Sequence, residues 1–313
     1  MPLPGFPIHP EQSTQLSSFE GVRIREDTLY SNSRGKEKGG IRRRAQGAIH
    51  LLQDALLRIL GQDEAILYVA PAQALPSELE QFLFFAVVGL GTKTYRRGAL
   101  FLSNTRLLYL TVGRNGEWQR SIRSAQWGDI DEAKVKGWLT PTLHIKYRNG
   151  TREPYWHLRR DDAKKIKVLI AALLPASSSE AAASGGMAHL CPDCLFTLTP
   201  GVYKCARCGL LFKDERTMIR RALMFPGLGY LYARHPRVAV LDFLLEVLVI
   251  FEIVFWILIA TRIKPLPAHP HEAPFSIHSA WTMVAILVVI LAFKKWLTIR
   301  HCQHFIREFI PVS

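Results

Sequence analysis

The chain has 313 residues, 49% of them hydrophobic, with 40 Lys and Arg against 26 Asp and Glu and a formal net charge of +14. That length predicts two or three units with a sizeable core and room for apolar segments, and it excludes a mini-protein. The positive charge calls for an anionic counterpart, nucleic acid or an acidic membrane leaflet, and the placement of the basic residues must decide between them.

Four of the five cysteines fall in one motif and Cys302 stands alone. A disulfide framework is therefore not expected, and a reducing compartment fits better. The opening stretch MPLPGFPIHPEQSTQLSS lacks the basic start and apolar run of a secretory signal, so the start of the chain is expected to stay inside the cell.

Residues 1–44 are rich in Ser, Gly, Pro and mixed charge without apolar periodicity, which predicts a disordered tail. Over 45–62, Ile49, Leu52, Leu56, Ile59 and Leu60 recur at helical spacing behind the basic triplet Arg42–Arg44, with Gly61 where a C-cap falls. This amphipathic helix either lies on a membrane surface or docks on the next domain, and docking is the preferred expectation.

Between 63 and 174 the pattern changes to short β-type runs: 66–69, 82–88, 99–103, 106–112, 118–122, 143–147 and 153–158, separated by Gly, Pro, Asn and Asp clusters. They predict an all-β barrel or sandwich. Asn149-Gly150 signals a type I′ hairpin, and Asn149-Gly150-Thr151, formally a glycosylation sequon, is read as a tight cytosolic turn. Asp161-Asp162 can cap a closing helix striped by Ile166, Leu169, Ile170, Leu173 and Leu174.

The stretch GALFLSNTRLLYL, an apolar strand, a polar turn and an Arg-Leu-Leu strand, resembles the strand-turn-strand of bacterial PH-like and GRAM-like domains. The resemblance covers about a third of the chain and implies a barrel plugged at one end by its terminal helix. It also implies that basic residues between the first strands could grip anionic lipid headgroups, here Lys93, Arg96 and Arg97, with Arg123, Lys134 and Lys136 as extensions if the fold brings them close. A solvated loop is the competing reading of those cations.

A Ser/Ala/Gly linker over 175–188 sets off the cysteine-rich stretch beyond it as a separate module. Cys191-x2-Cys194, ten residues, then Cys205-x2-Cys208 supplies four soft ligands in two tight turns, the spacing of a tetrahedral zinc site. Residues 189–213 resemble a zinc ribbon, departing from it at Leu195, where Gly is common. Four thiolates close the coordination shell, so structural Zn2+ is expected rather than a water-activating one. Only Lys204, Arg207 and Lys213 offer positive charge here, too few for a nucleic-acid surface of its own.

Residues 238–260 and 275–293 are apolar runs of 23 and 19 residues, long enough at 1.5 Å rise to cross a bilayer. The stretch before them, 214–237, reads as an interfacial helix and turn; its PGLGYLY resembles a turn leading into helical hairpins of small bacterial membrane families. Arg216, Arg220, Arg221, Arg234 and Arg237 precede the first run and Lys294, Lys295, Arg300 and Arg307 follow the second, whereas the connection over 261–274 holds only Arg262 and Lys264. The positive-inside rule then places both termini, including a cytosolic amphipathic tail over 294–313, in the cytosol of a multi-pass protein of the bacterial inner membrane.

Asp242, Glu246 and Glu252 lie within the first run and need partners. Asp242 and Glu246 share a face near the end where Lys294 or Lys295 could meet them; Glu252 sits deeper, toward an oligomer interface, His278 or an ion path. His269, His271 and His278 in and beside the connection read as polar loop residues. There is no G-x-S-x-G, H-E-x-x-H or Walker A motif, and Gly89-x-Gly91 lacks a third glycine, so an enzyme is not expected.

The expected function is a non-enzymatic, membrane-anchored adaptor or regulatory scaffold binding a protein partner or lipid headgroups. Alternatives are an accessory subunit of a transport or ion-coupled assembly working through Glu252, and a membrane-tethered nucleic-acid binder.

Overall fold

The computed structural model describes residues 16–74, 97–113, 116–137, 140–176, 185–262 and 277–312. Its described residues form two compact units, one built between 16 and 212 together with 309–312, the other from 213–308. The expected strand at 82–88 and the cations Lys93 and Arg96 lie outside the described residues, as do His269 and His271.

The first unit begins with β1 (Leu16–Phe19), β2 (Val22–Arg25), α1 (Glu26–Leu29), α2 (Gly39–Leu51) and α3 (Gln53–Ile59). Over 16–44 the expectation of a disordered tail is therefore overturned. Val22, Ile24, Leu29 and Tyr30 enter the core, and their spacing is too short and interrupted for a periodicity argument to detect. The helix expected over 45–62 starts earlier and is two helices broken at Leu52, and its apolar stripe is docked rather than presented to a membrane: Ile49, Leu52, Leu56 and Ile59 are all buried.

Next come β3 (Ile66–Ala74), β4 (Arg97–Ser103), β5 (Arg106–Val112), β6 (Trp118–Gln126), a 3-10 turn over Trp127–Asp129, β7 (Ile130–Lys136), β8 (Thr142–Tyr147), β9 (Arg152–Trp156) and α4 (Arg160–Ala176). Strands β3 to β6 form one antiparallel meander and β7 to β9 another, joined where Gln73 and Ala74 of β3 pair with Trp156 and Tyr155 of β9.

Burial on both faces explains why β4 and β5 read as continuous apolar runs. Leu100, Leu102, Leu107 and Tyr109 face a core closed by Ile166, Leu169, Ile170 and Leu173 of α4. Ala99, Phe101, Leu108 and Leu110 face the opposite way, onto Ile24, Ile49, Leu56 and Ile59 of the N-terminal layer. The polar SNTR turn between β4 and β5 is fixed by Glu64, which accepts from Arg106 Nη2 at 2.7 Å and from Ser103 Oγ at 2.6 Å. Burial raises the Glu64 carboxyl, but the hydrogen bonds and charge of Arg106 outweigh it and hold it below its ordinary value.

The Asn149-Gly150 turn departs from type I′. Gly150 has φ +83°, but Asn149 is not among the positive-φ residues, and its Oδ1 accepts instead from Thr151 N at 3.0 Å.

The linker does not isolate a separate module. Gly185 N donates to Asp129 Oδ1 at 2.9 Å, and β10 (Ala188–Leu190) pairs antiparallel with β6 through His189↔Arg123 and Leu190↔Ile122. With β11 (Thr197–Leu198) outside β10, the cysteine region extends the sheet.

The second unit contains α5 (Glu215–Met224), α6 (Leu228–Tyr232), α7 (Pro236–Arg262) and α8 (Ile277–Ile306). Asp214 caps α5 by accepting from Thr217 N at 2.7 Å. Helix α8 runs unbroken through the segment expected to begin a separate tail at 294, so the last apolar run and the basic stretch after it are one helix. The PGLG stretch has a steric reason. Gly227 sits at φ +74° and a Cβ there would lie 2.3 Å from the Ala239 carbonyl oxygen, while one on Gly229 would meet Ala222 Cβ at 2.9 Å.

If the N-terminal helices are integral to the sheet's second core, Leu56→Ala should cost about 2–5 kcal/mol. Chemical denaturation of the first unit should show a single transition moved to lower denaturant. A loss below about 0.5 kcal/mol would mean that the layer is peripheral.

Candidate metal centre

Cys191 and Cys205 each open a short turn, and the two turns repeat each other bond for bond. Leu195 N donates to Cys191 O at 2.9 Å and Gly209 N to Cys205 O at 3.0 Å; Cys191 N donates to Phe196 O and Cys205 N to Leu210 O, both at 2.9 Å. Leu195 adopts φ +57° and Gly209 φ +76°, so Leu195 takes the left-handed conformation that glycine takes in the second turn. The departure seen in sequence leaves the geometry intact, at a conformational cost of about 1–2 kcal/mol.

All four sulfurs lie within 4.8 Å of one another, with Cys191 Sγ 3.5 Å from Cys208 Sγ and Cys194 Sγ 3.5 Å from Cys205 Sγ. No disulfide joins them. Bonds of about 2.3 Å from a central ion would set tetrahedral sulfur edges of about 3.8 Å, close to the spacing found. The four cysteines can therefore hold a metal ion.

Burial, opposed by the N–H groups of Cys194 and Asp193, pushes the Cys191 thiol up to about 12. At Cys205 burial also raises the pKa, but the N–H groups of Cys208 and Arg207 outweigh it and the thiol falls to about 7. Backbone amides aimed at sulfur stabilise the thiolate, the form that binds metal.

The turns alone do not complete this region's apolar core. Cys191, Leu198, Cys205 and Phe212 cluster with Phe309, a residue about a hundred positions further along the chain. Sequence reading missed Phe309, because no local spacing links it to the cysteines.

In the second unit, α7 and α8 are long and apolar enough to cross a membrane, over Pro236–Thr261 and His278–Ile306. Asp242 and Glu246 are fully buried between them. Lys294 Nζ lies 2.6 Å from Asp242 Oδ1 and 3.5 Å from Glu246 Oε2, and Lys295 Nζ lies 2.7 Å from Glu246 Oε1. Thr298 Oγ1 donates to Asp242 Oδ1 at 3.1 Å. Two carboxylates and two ammonium groups thus cancel. Glu252, half-buried one to two turns further on, makes no ion pair among the described residues, and His278 is exposed.

Of the other sequence candidates, Lys93 and Arg96 lie outside the described residues, and the described ones serve separate parts of the fold. Arg97 contributes backbone to β4. Arg123 is buried, paired with Glu153, its guanidinium 5.6 Å from the Tyr109 ring centroid, so it serves the interior rather than a surface patch. Lys134 pairs with Glu132 on the same strand.

No protein-family model matches the chain, and no curated protein matches it. Among solved structures, the crystal structure of the C-terminal domain of an unknown protein from Leishmania infantum is similar over 43% of this chain and 98% of that one, at 11% identity and a TM-score of 0.26. A similarity at that score carries no argument about fold or function.

Removing one side of a buried ion pair strands the other. Lys294→Ala should destabilise the helix pair by about 3–5 kcal/mol, and adding Asp242→Asn should recover most of it. Thermal unfolding of the two variants in detergent checks this; equal loss in both would mean that Asp242 does not depend on Lys294.

Proposed function

We propose that this chain is a membrane-anchored, non-enzymatic adaptor. A cytosolic β-domain recruits a protein partner or an anionic lipid headgroup, a structural zinc ribbon stiffens its edge, and α7 and α8 form the two-helix anchor. The observation that carries the anchor is the cancelled quartet of Asp242, Glu246, Lys294 and Lys295, set between helices whose other faces expose Phe243, Leu244, Val247, Leu248, Phe251 and Val289. A hairpin that satisfies its charges inward and presents large apolar side chains outward is suited to lipid, where an unpaired carboxylate costs at least about 2.5 kcal/mol.

The pairing also changes the charge count behind the orientation. Lys294 and Lys295 serve carboxylates and not lipid phosphates, as Arg307 serves Glu215, which leaves Arg216, Arg220, Arg221, Arg237 and Arg300 to favour cytosolic placement of both ends.

A PH-like assignment of the barrel is supported by its plan of four strands, then three, then a closing helix. Zinc is the metal best suited to four closed thiolates in a small structural site. Exposed apolar residues on the ribbon, Phe196, Val202 and Leu211, give it a face able to contact a protein.

The orientation is tested in intact cells with a membrane-impermeant maleimide and single reporter cysteines. A reporter at His269 should label from outside, and one at Ser17 only after lysis. Labelling of both from outside would overturn the orientation, and extraction of the chain by alkaline carbonate would overturn the anchor itself.

A further inference from the structure

The chain leaves the cysteine turns at Phe212 and comes back to them at Phe309, after the whole of α5 to α8. There Phe309 is buried, its ring centroid 5.5 Å from that of Phe212 in an edge-on contact, 5.1 Å from His189 and 6.0 Å from Tyr203. Each of these three aromatics sits close to the cysteine turns: His189 two residues before Cys191, Tyr203 two before Cys205, Phe212 four after Cys208. Beyond Phe309 the backbone pairs as well, with a bridge between Phe212 and Pro311 and a hydrogen bond from Val312 N to Leu211 O of 3.1 Å. Phe309 is held at φ +56°, a backbone state that a side chain of its size adopts only when its surroundings impose it.

We propose that Phe309–Val312 is a built-in peptide ligand of the ribbon, and that its docking and metal binding are one coupled equilibrium, so that loss of the metal releases Phe309–Val312 from the ribbon. The coupling arises from the contents of the small core. Apart from Phe309, its buried members are Leu198, Phe212 and the two ligands Cys191 and Cys205, so metal and tail organise the same few side chains. Beyond the pairing of β10 with β6, the cysteine turns have little apolar surface of their own to hold their fold without the ion. A ligand that binds only the ordered ribbon must then favour the metal, and the metal must favour the ligand by the same factor.

The ribbon thereby holds its C-terminal strand only while it is ordered. This inference rests on the reading that the four cysteines hold a metal, and the test separates the two.

The full-length chain in detergent is titrated with zinc against a chromophoric chelator, as wild type and as Phe309→Ala, Val312→Pro and Val312→Ala. The wild type should bind one zinc. Phe309→Ala should bind it at least tenfold more weakly; Val312→Pro, which removes the N–H donated to Leu211, should weaken it several-fold, while Val312→Ala should match the wild type. Hydrogen exchange of the wild type should show the Val312 amide protected with zinc and unprotected once zinc is stripped. Equal affinity across all four proteins, or tail protection that survives removal of zinc, overturns the coupling while leaving the metal site standing. Failure of the wild type to bind zinc overturns the metal reading and the coupling with it.

Discussion

Four cysteine sulfurs lie within 4.8 Å of one another, and if all four were ionised they would repel unless a cation stood at their centre. The local architecture is arranged around that constraint. Backbone amides point at the sulfurs, Leu195 accepts a left-handed backbone to complete the first turn, and β10 carries Cys191 in from an edge of the sheet through its pairing with β6. What apolar surface the turns lack is supplied by Phe309 from the far end of the chain.

A second constraint of the same kind governs α7 and α8. Asp242 and Glu246 in an otherwise apolar helix are tolerable only against cations, and Lys294 and Lys295 occupy the facing helix where antiparallel packing brings them level. The close approach allowed by Gly227 and Gly229 packs α6 against α7 and α5, the latter being the element whose Ala222 carbonyl also accepts from Lys295. The helix pair and the cysteine cluster thus each gather their ionisable groups inside a compact unit.

How much could be read from the sequence depends on the range of each interaction. The cysteine spacing, the two long apolar runs and the alternation of β-type segments are local patterns, and each corresponds to an element in the structure. The pairing of Asp242 and Glu246 with the lysines could be anticipated because, in two antiparallel apolar runs, the start of the first lies beside the end of the second. The N-terminal layer could not, since Val22, Ile24, Leu29 and Tyr30 are too few and too scattered among polar residues to show a period. The docking of β10 on β6 and of Phe309 among the aromatics depends on contacts between distant positions, for which one sequence contains no signal. Arg123 shows the same limit from the other side: as a letter it is a surface cation, and only the fold reveals Glu153, Tyr109 and Tyr155 around it.

The central claim is that the four cysteines form a closed metal centre. X-ray absorption at the zinc edge, on full-length protein purified without added chelator, addresses it most directly. The account predicts a first shell of four sulfurs at about 2.3 Å and no lighter neighbour. A shell containing nitrogen or oxygen at about 2.0–2.1 Å, or protein that holds no zinc, would contradict it.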